Sequence, residues 1–250
     1  MRNMLPMNRV FTKRLKLSRN VELSSRQSDK ANSAMINVYA KELDAIWIGL
    51  ACTEEKILTT ALSHSKESAL KSLLRCLPPK ADYQISEKPT DFAEKIIQAS
   101  RDVHFGGPPF TDFALATEHF PEPLATVLKV AASIPVGYVA SYGDIAKIAG
   151  TEPKTVGQIM ASNPLYPIVQ CHRVVGTDYS LVGYGGRKDP RALKAKLARL
   201  GAERKGYKSH KEINVNGTIL TVYPVEYVID KAKKQGLSLR DRQQRTITSY

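Results

Sequence analysis

The amino-acid sequence predicts an α/β N-terminal domain, residues 36–108, and a mostly α C-terminal domain, residues 111–206, that contains a helix-turn-helix. Three observations lead to this fold class. Residues 36–62 are rich in β-branched residues and alternate in part between apolar and polar, as half-buried strands do. In the second domain the apolar residues recur at helical spacing. There, two short helical segments, 143–150 and 153–162, are joined by a tight turn that contains glycine.

The elements of the N-terminal half follow in order. Residues 1–35 carry eight basic and two acidic residues without a sustained period, which predicts a disordered basic arm. Residues 36–62 predict two or three strands, with TEEK (53–56) as a hairpin tip. Helical spacing predicts a helix over 65–77, which two prolines close, and another over 90–103.

The C-terminal half continues with a predicted helix over 122–134 and a turn over 135–142. The helix-turn-helix comes next, although many helix pairs of this kind bind no nucleic acid. Residues 188–206 predict a final basic amphipathic helix. Residues 207–250 form a C-terminal extension of unknown role, with a β-like piece, GTILTVYPVEYVI (217–229), and a polar tail.

Composition narrows the class of partner. The net charge of +13 favours a polyanion, nucleic acid first, over a merely solvated basic surface. No window approaches about 18 uninterrupted apolar residues, so we expect no membrane partner. The three cysteines, Cys52, Cys76 and Cys171, form no CxxC pair, so we predict free thiols, no metal site and no cofactor.

The stretch IVQCHRVVG (168–176) places Cys171 beside His172 among apolar residues. A thiolate is a competent nucleophile, and neighbouring positive charge lowers the pKa of a thiol. Adjacent side chains diverge on a strand or helix, so a direct ion pair between the two is strained and a bridging water is the alternative. An isolated pair of this kind is more often a buried cysteine beside a satisfied core histidine. Asn163 and Tyr142 before the pair indicate chemistry on a nucleotide instead.

The segments SYGDIAKIAG, PKTVGQIMASNP, CHRVVG and GYGG together resemble the O6-alkylguanine-DNA alkyltransferase family, also called methylated-DNA–protein-cysteine methyltransferases. The resemblance covers roughly residues 120–200. It implies a ribonuclease-H-like N-terminal domain and a winged-helix-like C-terminal one. It also implies DNA repair by irreversible transfer of an alkyl group from O6 of guanine to the protein, a single-turnover reaction. The expected partner is double-stranded DNA containing O6-alkylguanine, and the expected protein is a monomer in the cytoplasm of a prokaryote or the nucleus of a eukaryote.

The same resemblance assigns roles to residues. Cys171 attacks the alkyl carbon, His172 takes the thiol proton through water, Tyr142 helps guanine leave and Asn163 orients the site by hydrogen bonds. The substrate-binding residues that it implies are Val174, whose carbonyl accepts from the guanine amine, Tyr184 and Gly185 in a lid over the flipped base, and Lys154.

The implied DNA-binding residues lie mainly on the second helix of the helix-turn-helix. They are Lys154, Thr155, Gly157, Gln158, Ala161 and Arg173, of which Arg173 also serves as structural support. Glycine within a helix costs about 1 kcal/mol, and close helix packing is the other explanation for Gly157.

Three departures from the family pattern predict a slow alkyltransferase. Gln170 stands where proline usually precedes the cysteine, and Lys154 stands where the family has an arginine whose planar group fills the gap left by the flipped base. Gly201 stands where a glutamate orients the histidine, and Glu203, two positions on and differently directed, is the available substitute.

Three other functions compete with this one. A non-catalytic protein that binds alkylguanine and marks lesions fits Gln170 and Gly201 but not the presence of Cys171. A regulator that senses alkylation or oxidation through Cys171 predicts binding at one DNA sequence. A hydrolase with a cysteine–histidine dyad is disfavoured because adjacent residues form that dyad poorly.

Overall fold

The computed structural model describes residues 35–108, 110 and 113–237. The basic arm predicted over 1–35 falls outside these residues except for Met35, and so does the chain beyond 237. The described residues form a mixed α/β structure with two sheets and seven helices. Within the described ranges, no helix combines the length and the apolar character needed to cross a bilayer.

The first sheet has five strands in the order β4-β1-β2-β3-β5. The pairs β1·β2 and β2·β3 are antiparallel, whereas β4 and β5 pair in parallel at the two edges. The helices α1 and α2 begin at the side-chain caps Ser65 and Thr90, whose hydroxyls accept from backbone N–H groups. The bounds are β1 Ile36–Leu43, β2 Ile46–Cys52, β3 Lys56–Ser63, α1 Lys66–Cys76, β4 Tyr83–Ile85, α2 Asp91–His104 and β5 Ala114–Leu115.

The second sheet has four strands in the order β7-β6-β9-β8, and the helix-turn-helix leads out of its strand β6. Ser141 caps the first helix of that pair, and proline occupies the first turn of the second. The bounds are α3 Leu124–Ser133, β6 Tyr138–Ser141, α4 Tyr142–Ile148, α5 Pro153–Ala161, a 3-10 turn Cys171–Arg173, β7 Val174–Val175, α6 Pro190–Ala202, β8 Lys211–Val215, β9 Thr218–Pro224 and α7 Val225–Lys234.

Most predicted elements are confirmed within a few residues, including the hairpin turn before Lys56 and both helices of the helix-turn-helix. The predicted turn over 135–142 is wrong in part because it contains β6, a strand of only four residues. The predicted β-like piece over 217–229 is also wrong in part, because its strand ends at Pro224 and a helix follows.

The sequence did not predict the short strands β4, β5 and β7, nor the longer strand β8. Strand β8 pairs antiparallel with β9 across a turn in which Asn216 and Gly217 both have positive φ. An Asn-Gly pair between alternating residues is a strong hairpin signal, and it marks this turn in the sequence.

The extension after residue 206 is built into the second sheet. Strand β9 pairs with β6, and Leu220 and Val222 of β9 join the same apolar core as Cys171. Helix α7 buries Val228 and Ile229 in a cluster that also contains Leu197 of α6. Up to residue 206 the regular structure of the C-terminal half is mostly helical, as predicted, and the extension adds β8, β9 and α7 to it.

Candidate functional site

Cys171 opens the 3-10 turn between a buried loop, residues 163–170, and β7. Its side chain is buried, with 7% of the residue exposed. Burial raises the pKa of the Cys171 thiol to about 11, although the positive charges of Lys196 and Arg199 act in the opposite direction. The Cys171 side chain is therefore a protonated thiol at neutral pH.

His172 forms a buried cluster with Glu203 and Arg173. Nε2 of His172 lies 2.8 Å from Oε1 of Glu203, and Nε of Arg173 donates to Oε2 at 2.9 Å. Arg173 also donates to the carbonyl of Ile134. Burial lowers the pKa of His172, and the contact with Glu203 opposes that effect. Burial alone would raise the pKa of Glu203, but its bonds and charge interactions with His172 and Arg173 lower it to about 2.

This cluster changes two expectations. The sequence has Gly201 where a glutamate was expected to orient the histidine, but Glu203, the C-cap of helix α6, contacts His172 directly. Arg173 was predicted to contact DNA, but it is 3% exposed and paired with Glu203, so it cannot reach a phosphate in this arrangement. A 3-10 turn advances about 120° per residue, so the side chains of Cys171 and His172 point in different directions. This agrees with the expectation that two adjacent residues do not form a direct ion pair.

Asn163 stabilises the loop of residues 163–170, which precedes Cys171, through two hydrogen bonds. Its Nδ2 donates to the carbonyl of Val169 at 2.8 Å, and its Oδ1 accepts from the N–H of Leu165 at 2.9 Å. The first sheet holds the same loop from the other side, since the hydroxyl of Thr59 donates to the Pro164 carbonyl and that of Thr60 to the Tyr166 carbonyl. The N-terminal sheet therefore takes part in positioning Cys171.

Lys196 is a site residue that the sequence analysis missed. It is completely buried, and its Nζ donates to the carbonyls of Val174 at 2.6 Å and Gly183 at 3.0 Å. The same ammonium lies 5.5 Å from the centroid of the Tyr142 ring. Burial lowers the pKa of Lys196 to about 8. In the sequence it looks like one of several lysines of a basic amphipathic helix, so nothing there marks it as buried.

The Lys196 contacts bear on two predicted site residues, Val174 and Tyr142. The carbonyl of Val174, expected to accept from the guanine amine, already accepts from Lys196, although a carbonyl oxygen has a second lone pair. Burial, and then the nearby thiol, raise the pKa of Tyr142 to about 12, so its hydroxyl keeps its proton. The predicted lid is a tight turn in which Tyr184 and Arg187 exchange backbone hydrogen bonds of 2.9 and 3.0 Å.

The two central residues of that turn, Gly185 and Gly186, have φ of +56° and +74°, which a residue with a side chain adopts only at a cost. A Cβ at Gly186 would lie 3.6 Å from Cβ of Ala161, so the turn approaches the end of helix α5.

Helix α5 presents an open face. Lys154, Gln158 and Ala161 are exposed, and Thr155 and Gly157 are partly exposed. Among the described residues outside the helix's own backbone, a Cβ at Gly157 would have only Cε1 of Tyr142 within 4 Å, at 3.9 Å. Close packing between helices therefore does not explain this glycine.

Two cavities lie among the described residues, and one of them is lined by Gln170 and Arg173 on either side of Cys171 in the sequence. One of about 310 Å³ is lined by Phe110, Phe113, Leu115, Lys129, Ala132, Ser133, Ile168, Gln170 and Arg173. Another of about 480 Å³ is lined by Tyr227, Asp230, Lys231 and Lys234. Cys171 lines neither of them, and Tyr142 and Tyr184 pack against the apolar cluster to which it belongs.

Comparison with known proteins finds a family model that matches part of the C-terminal half. Residues 123–205 match the family model described as 6-O-methylguanine DNA methyltransferase, DNA binding domain. This match covers the helix-turn-helix, the cysteine turn and helix α6 through Glu203. It confirms the resemblance to the O6-alkylguanine-DNA alkyltransferase family for this part of the chain.

Individual relatives match over shorter stretches. A methylated-DNA–protein-cysteine methyltransferase of Pyrobaculum aerophilum is 55% identical over 53 residues, 21% of this chain and 36% of that protein. One of Mycobacterium leprae is 38% identical over 98 residues, 38% of this chain and 58% of that protein. The chain thus matches between about a third and three-fifths of the length of these two relatives.

A solved structure of Mycobacterium tuberculosis OGT in complex with DNA aligns with 67% of this chain and 92% of its own, at 22% identity and a TM-score of 0.46.

Proposed function

We propose, from the match of residues 123–205 to the 6-O-methylguanine DNA methyltransferase family, that this chain repairs DNA by taking the alkyl group from O6 of guanine onto Cys171. The observation that carries the proposal is the buried turn in which Cys171 precedes a histidine held by Glu203, next to the helix-turn-helix. Sulfur is a soft nucleophile suited to a small saturated carbon, so no cofactor is required.

The reaction is a single displacement. The thiolate of Cys171 attacks the alkyl carbon, an S–C bond forms, the C–O6 bond breaks, and the electron pair stays on guanine. His172 accepts the thiol proton through a water, and Glu203 fixes the ring and balances the charge that it acquires. The protonated hydroxyl of Tyr142 donates to the leaving guanine. The charge of Lys196 stabilises the thiolate before attack and the guanine anion after it.

The target base must leave the duplex, which costs a few kcal/mol. We propose that the open face of helix α5 binds the minor groove of double-stranded DNA through Lys154, Thr155, Gly157, Gln158 and Ala161. Contacts to the DNA phosphates offset the cost of base flipping and do not depend on the DNA sequence. The protein acts as a monomer. Because Cys171 is buried, the turn that carries Tyr184 and Gly185 has to move aside to admit the base, and then forms the lid.

The finer description of the fold belongs to the same proposal. We assign the first sheet with its helices α1 and α2 to a ribonuclease-H-like domain. We assign the helix-turn-helix with its sheet to a winged-helix-like domain, in which the hairpin of β8 and β9 takes the position of a wing.

The decisive experiment measures the intact mass of the protein after it is mixed with duplex DNA carrying O6-methylguanine. We expect an increase of about 14 Da, one CH₂ group, located on Cys171. Cys171→Ser gives no adduct, whereas the matched variant Cys76→Ser, which removes a cysteine of the N-terminal half, keeps it. Tight binding to the lesion without a change in mass would instead favour the lesion-marking function.

A further inference from the structure

Arg199 of helix α6 connects the C-terminal half of the chain to the end of helix α2. Its guanidinium donates to the carbonyl of Val103 at 2.8 Å and to the carbonyl of His104 at 2.7 Å. Both carbonyls lie in the last turn of α2, where a helix leaves its C=O groups without internal partners. A positive charge at this end of a helix also interacts favourably with the helix dipole. The two hydrogen bonds therefore fix the C-terminal end of α2 against α6.

The same guanidinium holds Tyr166, which lies in the loop of residues 163–170. It donates to the Tyr166 hydroxyl at 3.1 Å, and that hydroxyl is also 3.4 Å from Nδ1 of His104. The rings of Tyr166 and His104 meet edge to face, with their centroids 6.2 Å apart. The backbone of Tyr166 is held as well, since its carbonyl accepts from the hydroxyl of Thr60 at 2.8 Å. Both ends of this residue are thus fixed, and Arg199 supplies the contact that joins its side chain to α6.

Backbone hydrogen bonds connect the neighbourhood of Tyr166 to the cysteine. The N–H of Val169 donates to the carbonyl of Leu165, the residue before Tyr166, at 2.8 Å. The N–H of Cys171 in turn donates to the carbonyl of Val169 at 3.1 Å. The backbone of Cys171 is therefore two hydrogen bonds away from the residue next to Tyr166. A displacement of the Tyr166 side chain is expected to shift this short loop, and with it the thiol.

The bonds of Arg199 all serve connection. Within the described ranges its side-chain hydrogen bonds go to two carbonyls and one hydroxyl, and none of them goes to a carboxylate. A guanidinium presents its donors in a fixed planar fork, so it can hold acceptors from two segments of the chain in one geometry. A lysine ammonium is a flexible point donor and would hold them less firmly.

We propose that Arg199 is a positioning residue for the transfer reaction: by tying Tyr166 to the end of helix α2, it holds the loop before Cys171 in the arrangement from which the thiol reacts. The inference rests on the proposed alkyl transfer. Arg199 touches neither the base nor the sulfur in this role and acts through Tyr166. Displacement of a reacting group by about 1 Å can cost about 10²-fold in rate, so a loosened loop slows the chemical step without weakening DNA binding.

The experiment measures two quantities with duplex DNA that carries O6-methylguanine. The first is the single-turnover transfer rate at saturating DNA, and the second is the affinity for the same duplex, taken in a Cys171→Ser background so that no transfer occurs. In Arg199→Met we expect the rate to fall about tenfold, within the range that a small displacement can cost, and the affinity to stay within about twofold. Arg199→Lys should recover part of the rate.

Tyr166→Phe separates positioning from charge. Arg199 also lowers the pKa of the Cys171 thiol, which burial raises, so the loss of its charge alone could slow transfer. Tyr166→Phe removes the hydroxyl and no charge, and it should also slow transfer. If Arg199 acts through Tyr166, the double variant is slowed by less than the product of the two single effects, because coupled residues are not additive. Independent effects would overturn the inference.

Two controls distinguish positioning from a general loss of stability. Arg191→Met removes an exposed arginine of the same helix and leaves the rate unchanged. Val38→Ala lowers stability by opening a cavity in an apolar cluster that does not contain Cys171, and it should also leave the rate unchanged. A wild-type rate in Arg199→Met, or an equal fall in Val38→Ala, would overturn this inference and leave the proposed function standing. A wild type that takes up no methyl group would overturn both.

Discussion

Nε2 of His172 lies 2.8 Å from Oε1 of Glu203, and the same carboxylate accepts from the guanidinium of Arg173. One buried carboxylate thus orients the proposed base and neutralises a buried arginine. Glu203 lies two positions after Gly201, where the family pattern has its glutamate. Because Glu203 caps the end of helix α6, its carboxylate can contact both His172 and Arg173.

Glu203→Gln should slow methyl transfer by about 10²-fold, the lower end of what general base catalysis contributes, because the amide orients His172 without stabilising its charged form. Single-turnover rates at saturating DNA measure this. Equal rates in the wild type and in both Glu203→Gln and Glu203→Ala would remove Glu203 from the mechanism.

The same variant tests the pH dependence of stability. The pKa of Glu203 is lowered from 4.5 to about 2 in the fold, so its stabilising contribution is complete above pH 4.5 and is lost as the pH falls towards 2. We expect the difference in the free energy of unfolding between wild type and Glu203→Gln to be largest at neutral pH and to shrink below pH 4.5. A difference that stays constant down to pH 3 would contradict the ion-pair assignment.

Lys196→Met should separate catalysis from stability. Loss of the charge raises the pKa of Cys171 further and slows transfer on the order of tenfold at neutral pH. The fold loses two hydrogen bonds to carbonyls but no longer buries a charge, so the melting temperature changes little. Lys194→Met, at an exposed position on the same helix, should alter neither quantity. Transfer at the wild-type rate in Lys196→Met would show that the ammonium is structural.

Leu220→Ala tests whether the extension stabilises the half of the chain that contains Cys171. Leu220 is completely buried in the core shared with Cys171, so we expect a loss of about 2–5 kcal/mol in the free energy of unfolding. Its neighbour Ile219 points to the other face and is 54% exposed, and Ile219→Ala should change stability by less than about 0.5 kcal/mol. Chemical denaturation measures both variants. Similar small losses would mean that the hairpin is dispensable.

Lys154→Ala tests the assignment of helix α5 to DNA. One phosphate contact fewer should reduce the slope of log affinity against log salt by about 0.9, with little dependence on sequence. Lys71→Ala, which removes an exposed lysine from helix α1, is the matched control. Lys154→Arg should bind at least as well and transfer faster, because a planar guanidinium can stack in the gap left by the flipped base. An unchanged salt slope in Lys154→Ala would place the DNA on another face.

The site was predictable where chemistry follows from neighbours in sequence. Cys171, His172 and Asn163 were identified from one loop and its spacing, and the helix-turn-helix from its glycine and its apolar period. Lys196 was not identifiable, because the helical pattern around it resembles that of a solvent-exposed basic helix and its burial depends on β7 and the lid turn packing over it.

The sequence by itself determined local structure: strands β1 to β3 and the two helices of the N-terminal half, the helix-turn-helix, and the charge that favours DNA. Only the tertiary structure decided which distant groups meet. Glu203 contacts His172, which lies 31 residues away in the sequence, and Arg199 donates to the carbonyl of His104, which lies 95 residues away. Strand β9 pairs with β6, although most of the C-terminal half separates them in the sequence. The physical reason is that local periodicity fixes which face of an element is apolar, whereas the pairing of buried charges depends on how those faces pack together.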